Sequence, residues 1–172
     1  MALVIEDGTQ VVGAASYVSA ADATTYHAAR GNSLWTGTDA VKEAALLKAA
    51  AYLDGHYRAR WKGFMVDPLT QSMEWPRTGV SFPYSDGSGY CCFLPSNQIP
   101  QRLKDAQCEL ALRALSGDLS ADAPAGIKRE KVDVLETEYF PGAPTGQTAY
   151  AAVDQLLSDY LKPLGSGDLL RG

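Results

Sequence analysis

One uninterrupted helical stretch, residues 99–117, constrains this chain more than any other. Pro100 stands at its start, where its missing N–H is not needed and its fixed φ already suits a helix. Gly117 stands at its end, where a left-handed residue can close a helix. Leu103, Ala106, Leu110 and Ala114 recur in steps of three and four and form one apolar stripe. Cys108, Leu112 and Leu115 form a second, and the wet stripe of Arg102, Asp105, Glu109 and Arg113 is narrow. A surface helix shows one apolar face, so two imply burial on more than one side. This helix is therefore expected at the middle of a small helical domain, as scaffold rather than as a site.

A chain of 172 residues can bury a real core around such a helix. Its 46% apolar and 20% charged residues are globular composition, not that of a disordered chain. The formal net charge of −5 argues against broad attraction to a nucleic-acid backbone, which needs clustered cations to displace counterions. It leaves room for a local basic patch. The start of the sequence has no cationic segment followed by an apolar run, so no secretory signal is expected. No apolar run approaches the roughly 20 residues that span a bilayer, and no membrane contact is expected. Three unpatterned cysteines do not make a disulfide framework, which suits a reducing cytosol.

Residues 2–5 are short and apolar, and suit a small edge strand before the turn Glu6-Asp7-Gly8-Thr9. Ser19 with Asp22 three residues on reads as a variant capping box. The helix it opens runs to about Arg30, with Tyr17, Ala21, Thr24, Tyr26 and Ala28 as a weak apolar face and His27 as a packing residue. Trp35 lies in the connector that follows. Thr38 caps the next helix, about residues 39–58, whose face is Leu46, Ala49 or Ala50, Leu53 and Tyr57. At its end Arg58, Arg60 and Lys62 form a small basic cluster, favourably placed at a helix C-terminus or available to a phosphate.

Helical periodicity fails in residues 61–98, where glycines, prolines and aromatics take over and residues 90–94 suit a short strand. So long an irregular segment is expected to pack or to bind something. Residues 118–126 read as a polar linker. In residues 127–140, reversal at Asp133-Val134 sets Arg129 opposite Glu138 and Lys131 opposite Glu136, with Ile127 facing Phe140, Val132 facing Leu135 and Lys128 facing Tyr139. Opposite charges across from each other and apolar pairs at both ends suit a two-stranded ribbon. Such a ribbon is marginal alone in water and is expected to lean on its own domain or on another subunit. Thr148 reads as the cap of a last helix faced by Ala149, Ala152, Val153, Leu156, Leu157, Tyr160 and Leu161, closed by Lys162-Pro163. The remaining tail is glycine-rich yet carries Leu169, Leu170 and Arg171, as a segment that orders on a partner would.

Catalytic and metal patterns are missing. There is no phosphate-cradling glycine loop, no Gly-x-Ser-x-Gly and no His-Glu-x-x-His. Cys91-Cys92, His27, His56 and Cys108 do not supply a zinc pattern. No catalytic residue, metal or cofactor is expected. The expected fold is mainly α: about four helices in a small bundle, with an irregular β-containing insertion at 61–98 and a β ribbon at 127–140. Residues 1–164 are expected to form a single domain, and residues 165–172 a docking tail.

The order of these pieces resembles a family of small tailed-bacteriophage head–tail connector, or adaptor, proteins. Some of its members are labelled "putative DnaT-like single-stranded-DNA-binding" proteins. The matching pieces begin with residues 3–8, Ser16-Tyr17-Val18 with Asp22, Tyr26, His27, Arg30 and Gly31, and Trp35. They continue with Tyr52-Leu53-Asp54 and Tyr57, Trp75-Pro76-Arg77-Thr78-Gly79, and Ile99-Pro100 running into Leu103, Ala106, Glu109, Leu110 and Ala111. Last come Glu130-Lys131-Val132, Glu138-Tyr139, Pro141-Gly142-Ala143-Pro144 and Arg171-Gly172. The sequence departs from the pattern at residues 81–96.

The resemblance implies a structural virion protein, assembled in the host cytoplasm into a ring, commonly of twelve subunits, at the head–tail junction. Such a ring sits beneath the portal protein, extends the channel through which double-stranded DNA passes, and carries the next connector (stopper or tail-completion) protein. On this reading Leu169, Leu170 and Arg171 dock on the portal, and Arg129, Lys131, Glu136, Glu138 and Tyr139 of the ribbon pack between subunits. The alternative is single-stranded-DNA binding in phage replication, for which Arg58, Arg60, Trp61 and Lys62, flanked by Tyr57 and Phe64, are the one plausible patch.

Overall fold

The computed structural model describes residues 3–82, 92–120, 129–132, 135–138 and 150–163. Four α-helices carry the fold: α1 (Ala20–Ala29), α2 (Asp39–His56), α3 (Gln101–Ala114) and α4 (Ala151–Leu157). The architecture is mainly α, as expected. Three two-stranded antiparallel pairs accompany the helices: β1 (Phe64–Met65) with β2 (Arg77–Thr78), β3 (Ser81–Phe82) with β4 (Cys92–Phe93), and β5 (Arg129–Val132) with β6 (Leu135–Glu138). Among the described residues, no helix is long and apolar enough to cross a membrane.

The central helix is α3, packed against both α2 and α4. Leu103, Ala106, Leu110 and Ala114 of the first apolar stripe are buried, and Cys108 of the second lies within the core as well. Burial pushes the Cys108 thiol up to about 12, so it packs as a small apolar group. Pro100 is the N-cap rather than the first helical residue, because its ψ of 136° is extended while its φ of −58° already faces the helix.

A buried amide on α3 escaped the apolar pattern. Gln107 is fully buried; its Oε1 accepts from the Tyr17 N–H at 2.9 Å. Its Nε2 donates to Ser16 Oγ at 2.7 Å and to the Leu46 carbonyl at 2.9 Å. One side chain thus ties α3 to α2 and to the segment before α1. Glu6 plays a similar part at the N-terminal turn. Its buried carboxylate accepts from the backbone N–H groups of Gly8, Gln10 and Val11 at 2.9–3.0 Å. Of the expected edge strand at 2–5, the described residues 3–5 form no strand of their own: Ile5 makes an isolated parallel bridge to Ser16.

Helix α1 is capped as its sequence suggests, with Ser19 Oγ accepting from the Asp22 N–H at 3.1 Å and donating to Asp22 Oδ2 at 2.7 Å. Its buried face differs from the one expected. Ala23 and His27 point inward, whereas Ala21, Thr24 and Ala28 are exposed. The inward face is built around the His27 ring, which lies 4.6 Å from the Trp35 ring and edge-on to Tyr26. Burial pulls the His27 pKa down, so the ring packs in its neutral form.

Residues 61–80 of the irregular segment pack into the same core. Trp61, Met73, Trp75 and Val80 are buried. The Trp75 ring meets Trp61 edge-on at 5.5 Å and Tyr160 at 5.8 Å. Gly63 has φ +66°, and a Cβ there would lie 2.2 Å from the Thr78 carbonyl oxygen, so only glycine lets β1 and β2 close up. Tyr17 OH donates to Asp54 Oδ1 at 2.6 Å, and the Glu74 N–H donates to Asp54 Oδ2 at 3.1 Å. Burial pushes the Asp54 carboxyl up to about 6 despite these bonds.

The ribbon pairs in the register read from charge complementarity: Arg129 with Glu138, Lys131 with Glu136, and Val132 with Leu135. Among the described residues no other element packs against it. The last helix is shorter than its periodicity suggests. It passes at Ser158–Tyr160 into a 3-10 turn. This turn brings Tyr160 and Leu161 into the core and lets Leu161 bridge to Trp61. The turn at Asp133-Val134, Tyr139, the proposed cap Thr148 and the tail with Leu169, Leu170 and Arg171 lie outside the described residues.

Candidate nucleic-acid interface

The basic cluster after α2 forms one wall of a surface cleft. Helix α2 tightens into a 3-10 turn at Arg58–Arg60, and the chain leaves it extended at Trp61. The C-terminal segment runs antiparallel alongside. The Lys62 N–H donates to the Tyr160 carbonyl at 2.9 Å, and the Lys162 N–H to the Arg60 carbonyl at 2.7 Å. These bonds place Lys162 beside Arg60 and Lys62, although a hundred positions separate it from Lys62. The cleft encloses about 430 Å³ and is lined by Arg60, Lys62, Lys162, Asp154, Asp159 and Ser158, among others.

Each member of the sequence-derived patch has a definite place. Trp61 is 1% exposed and packs against Tyr57 and Trp75. It belongs to the core and offers no face to a base, which corrects its assignment to a surface patch. Arg58 is largely exposed, and its Nε pairs with Glu74 Oε1 at 3.1 Å. Glu74 also holds the buried Arg77 guanidinium at 2.9 Å, so Arg58 serves an internal carboxylate as much as the surface. The Arg60 guanidinium lies 5.8 Å from the centre of the Tyr57 ring. Lys62 Nζ donates to the Asp159 carbonyl at 2.8 Å.

Among the described residues, Arg60, Lys62 and Lys162 form no ion pair. The carboxylates lining the cleft are engaged elsewhere. Asp159 pairs with Arg102 of α3, and Asp154 Oδ1 accepts from Tyr57 OH at 2.8 Å. Burial and that carboxylate hold the Tyr57 phenol well above its ordinary value, so it stays a neutral donor. The cleft is thus a shallow, mixed-charge surface where, among the described residues, Arg60, Lys62 and Lys162 have no carboxylate partner. Phe64, on β1, is 76% exposed and is the exposed aromatic nearest in sequence.

The ribbon residues Arg129, Lys131, Glu136 and Glu138 lie on a hairpin remote in sequence from this cleft. Their backbones pair Arg129 with Glu138 and Lys131 with Glu136. No group of His, Cys, Asp and Glu side chains among the described residues is arranged to hold a metal ion. Lys162 is the cleft residue that sequence reading missed. It stands at a helix end next to a proline, and only the pairing of residues 60–62 with 160–162 carries it to the cluster.

No curated protein and no solved structure matches the chain. A family model described as "Putative DnaT-like ssDNA binding protein" matches residues 1–172. That description is of a binding protein rather than an enzyme, and the chain, matched over its whole length, belongs to that family.

Proposed function

We propose that this protein is a structural component of a tailed-phage virion, a head–tail adaptor that works as a ring beneath the portal. The observation that carries the reading is the β5–β6 hairpin, which is paired in a charge-complementary register yet has no other described element against it. A two-stranded ribbon needs outside support to be stable, and a neighbouring subunit supplies it. Arg129, Lys131, Glu136, Glu138 and Tyr139 are the residues proposed to lie between subunits. The tail residues Leu169, Leu170 and Arg171 are proposed to dock on the portal, leaving the body to carry the next connector. A net charge of −5 suits a channel through which double-stranded DNA slides without sticking.

A second reading is single-stranded-DNA binding, which the family's description favours over the first. What supports it is the cleft, where Arg60, Lys62 and Lys162 form no ion pair among the described residues. Against it stand the burial of Trp61 and the engagement of Arg58, since such proteins join a basic groove to stacking aromatics. A fluorescent oligothymidine titration at two salt concentrations separates the readings. The adaptor reading expects weak binding that the triple change Arg60→Ala, Lys62→Ala, Lys162→Ala barely alters. Tight binding that falls steeply with salt and is lost in the triple variant would establish the second reading instead.

A further inference from the structure

One carboxylate stands where three segments of the chain meet. Asp54, on the last turn of α2, accepts from Tyr17 OH at 2.6 Å through Oδ1 and from the Glu74 N–H at 3.1 Å through Oδ2. Tyr17 belongs to the segment before α1, and Glu74 to the irregular chain between β1 and β2. The Trp75 N–H donates in turn to Tyr17 OH at 3.3 Å, which closes the joint on the side of the irregular segment. Tyr17, Glu74 and Trp75 are all buried, so the oxygens of Asp54 face groups shielded from water.

Among the described residues, Asp54 forms no ion pair. The cations that face it, Arg58 on the 3-10 turn and Arg77 on β2, bond the Glu74 carboxylate instead, at 3.1 and 2.9 Å. The Glu74 charge works against a second charge on Asp54. Arg58 works for it, but is largely exposed, and water screens it. Burial and the Asp54 carboxylate hold the Tyr17 phenol well above its ordinary value, so Tyr17 stays a donor. Desolvation first, then Glu74, push the Asp54 carboxyl up to about 6. The neutral acid keeps both bonds, because its carbonyl oxygen accepts from Tyr17 and its hydroxyl oxygen can still accept from the Glu74 N–H. The ionised form keeps them too, but at the cost of an unpaired charge drawn out of water.

We propose that Asp54 is a proton-operated clasp, which holds the irregular segment against α2 and the segment before α1 more firmly when neutral than when ionised. The folded chain keeps this proton over a range in which the unfolded chain has released it. The clasp's contribution to stability is therefore full below the ordinary aspartate value and is lost as pH rises through about 6. His27 acts in the opposite sense, since burial lowers its pKa and its contribution is lost on acidification. A whole-molecule profile mixes the two, so the clasp is read at its own atoms. It belongs to the body of the protein and is independent of both the adaptor and the DNA readings.

The test is a carboxyl-carbon NMR titration of the full chain, with amide exchange at Glu74 and Trp75 followed on both sides of the Asp54 midpoint and corrected for intrinsic base catalysis. Asp54 is expected to titrate at about 6, while Asp7 and Asp67, held low by hydrogen bonds from Thr9 and Thr70, titrate below the usual aspartate range. Protection of the two amides is expected to fall by about tenfold as Asp54 ionises, and Asp54→Asn is expected to abolish that fall. Arg58→Ala, a change at an exposed side chain, is expected to move the Asp54 midpoint upward by removing a cation that favours its charge, and to carry the fall in protection with it. An Asp54 midpoint in the ordinary aspartate range would overturn the clasp. So would a midpoint at about 6 with protection unchanged, because the proton would then bind without working the joint. If Asp54→Asn does not fold, Arg58→Ala decides: a fall in protection that stays put while the midpoint moves would overturn the clasp as well.

Discussion

Replacing Gln107 by leucine is expected to lower unfolding free energy by about 1–3 kcal/mol, read as a fall in the urea midpoint at unchanged slope. The shape change is small, so packing alone predicts a modest loss. The cost comes from the groups left behind. The Tyr17 N–H, Ser16 Oγ and the Leu46 carbonyl each lose a partner in a buried site. An unsatisfied buried polar group costs about 1–3 kcal/mol, and Ser16 keeps its bond to the Val18 carbonyl at 2.7 Å. The Leu46 carbonyl keeps its bond within α2, so the fully orphaned Tyr17 N–H sets most of the cost. Glutamate at the same position is expected to be no milder, because it keeps the acceptor for Tyr17 but loses both donated bonds. A loss under about 1 kcal/mol for leucine would mean that these backbone groups find other partners, contrary to this account.

Trp75→Ala is expected to cost about 3–5 kcal/mol, the range for truncating a buried aromatic. Trp75 is wholly buried between Trp61 and Tyr160, and its backbone N–H donates to Tyr17 OH at 3.3 Å. The truncation removes the wedge joining the irregular segment to the C-terminal segment. Pairing between residues 60–62 and 160–162 should loosen with it, and backbone amide exchange at Lys62 and Lys162 should quicken more than exchange within α3. Uniform quickening throughout the chain would show instead that the segment opens only with the whole molecule.

The elements whose sequence period matches their burial were legible. The stripe Leu103, Ala106, Leu110 and Ala114 is buried, as are Leu46 and Leu53 on α2 and Tyr57 at its C-cap. The ribbon register followed from charge pairs and apolar pairs together, since a shift of one residue would have set Glu130 against another glutamate. What escaped was polar or non-local. Gln107 and Glu6 are buried because their hydrogen bonds are complete, and composition treats both as surface residues. The α1 face was misread because a histidine and a small alanine, not its larger exposed residues, meet Trp35 and α3. Trp61 was read as a surface aromatic because cations flank it on both sides. In the fold, Arg60 at the end of the 3-10 turn and Lys62 just beyond it line the cleft, while Trp61 between them is buried. Lys162 joined the cluster only through strand-like pairing, which no local pattern announces.

The reading as an adaptor also orders the two surfaces. On that proposal the hairpin is assigned to subunit contacts and the tail to the portal, and the cation cleft is a minor feature. The single-stranded-DNA reading reverses that order. The measurement that separates them most directly is the light-scattering mass of the purified protein, alone and mixed with the portal protein of the same phage. The adaptor account predicts either a ring of the free protein or a single chain that joins the portal stoichiometrically, with the joined mass lost on deleting residues 165–172. A single chain indifferent to the portal would contradict it and turn the work to the cleft at Arg60, Lys62 and Lys162.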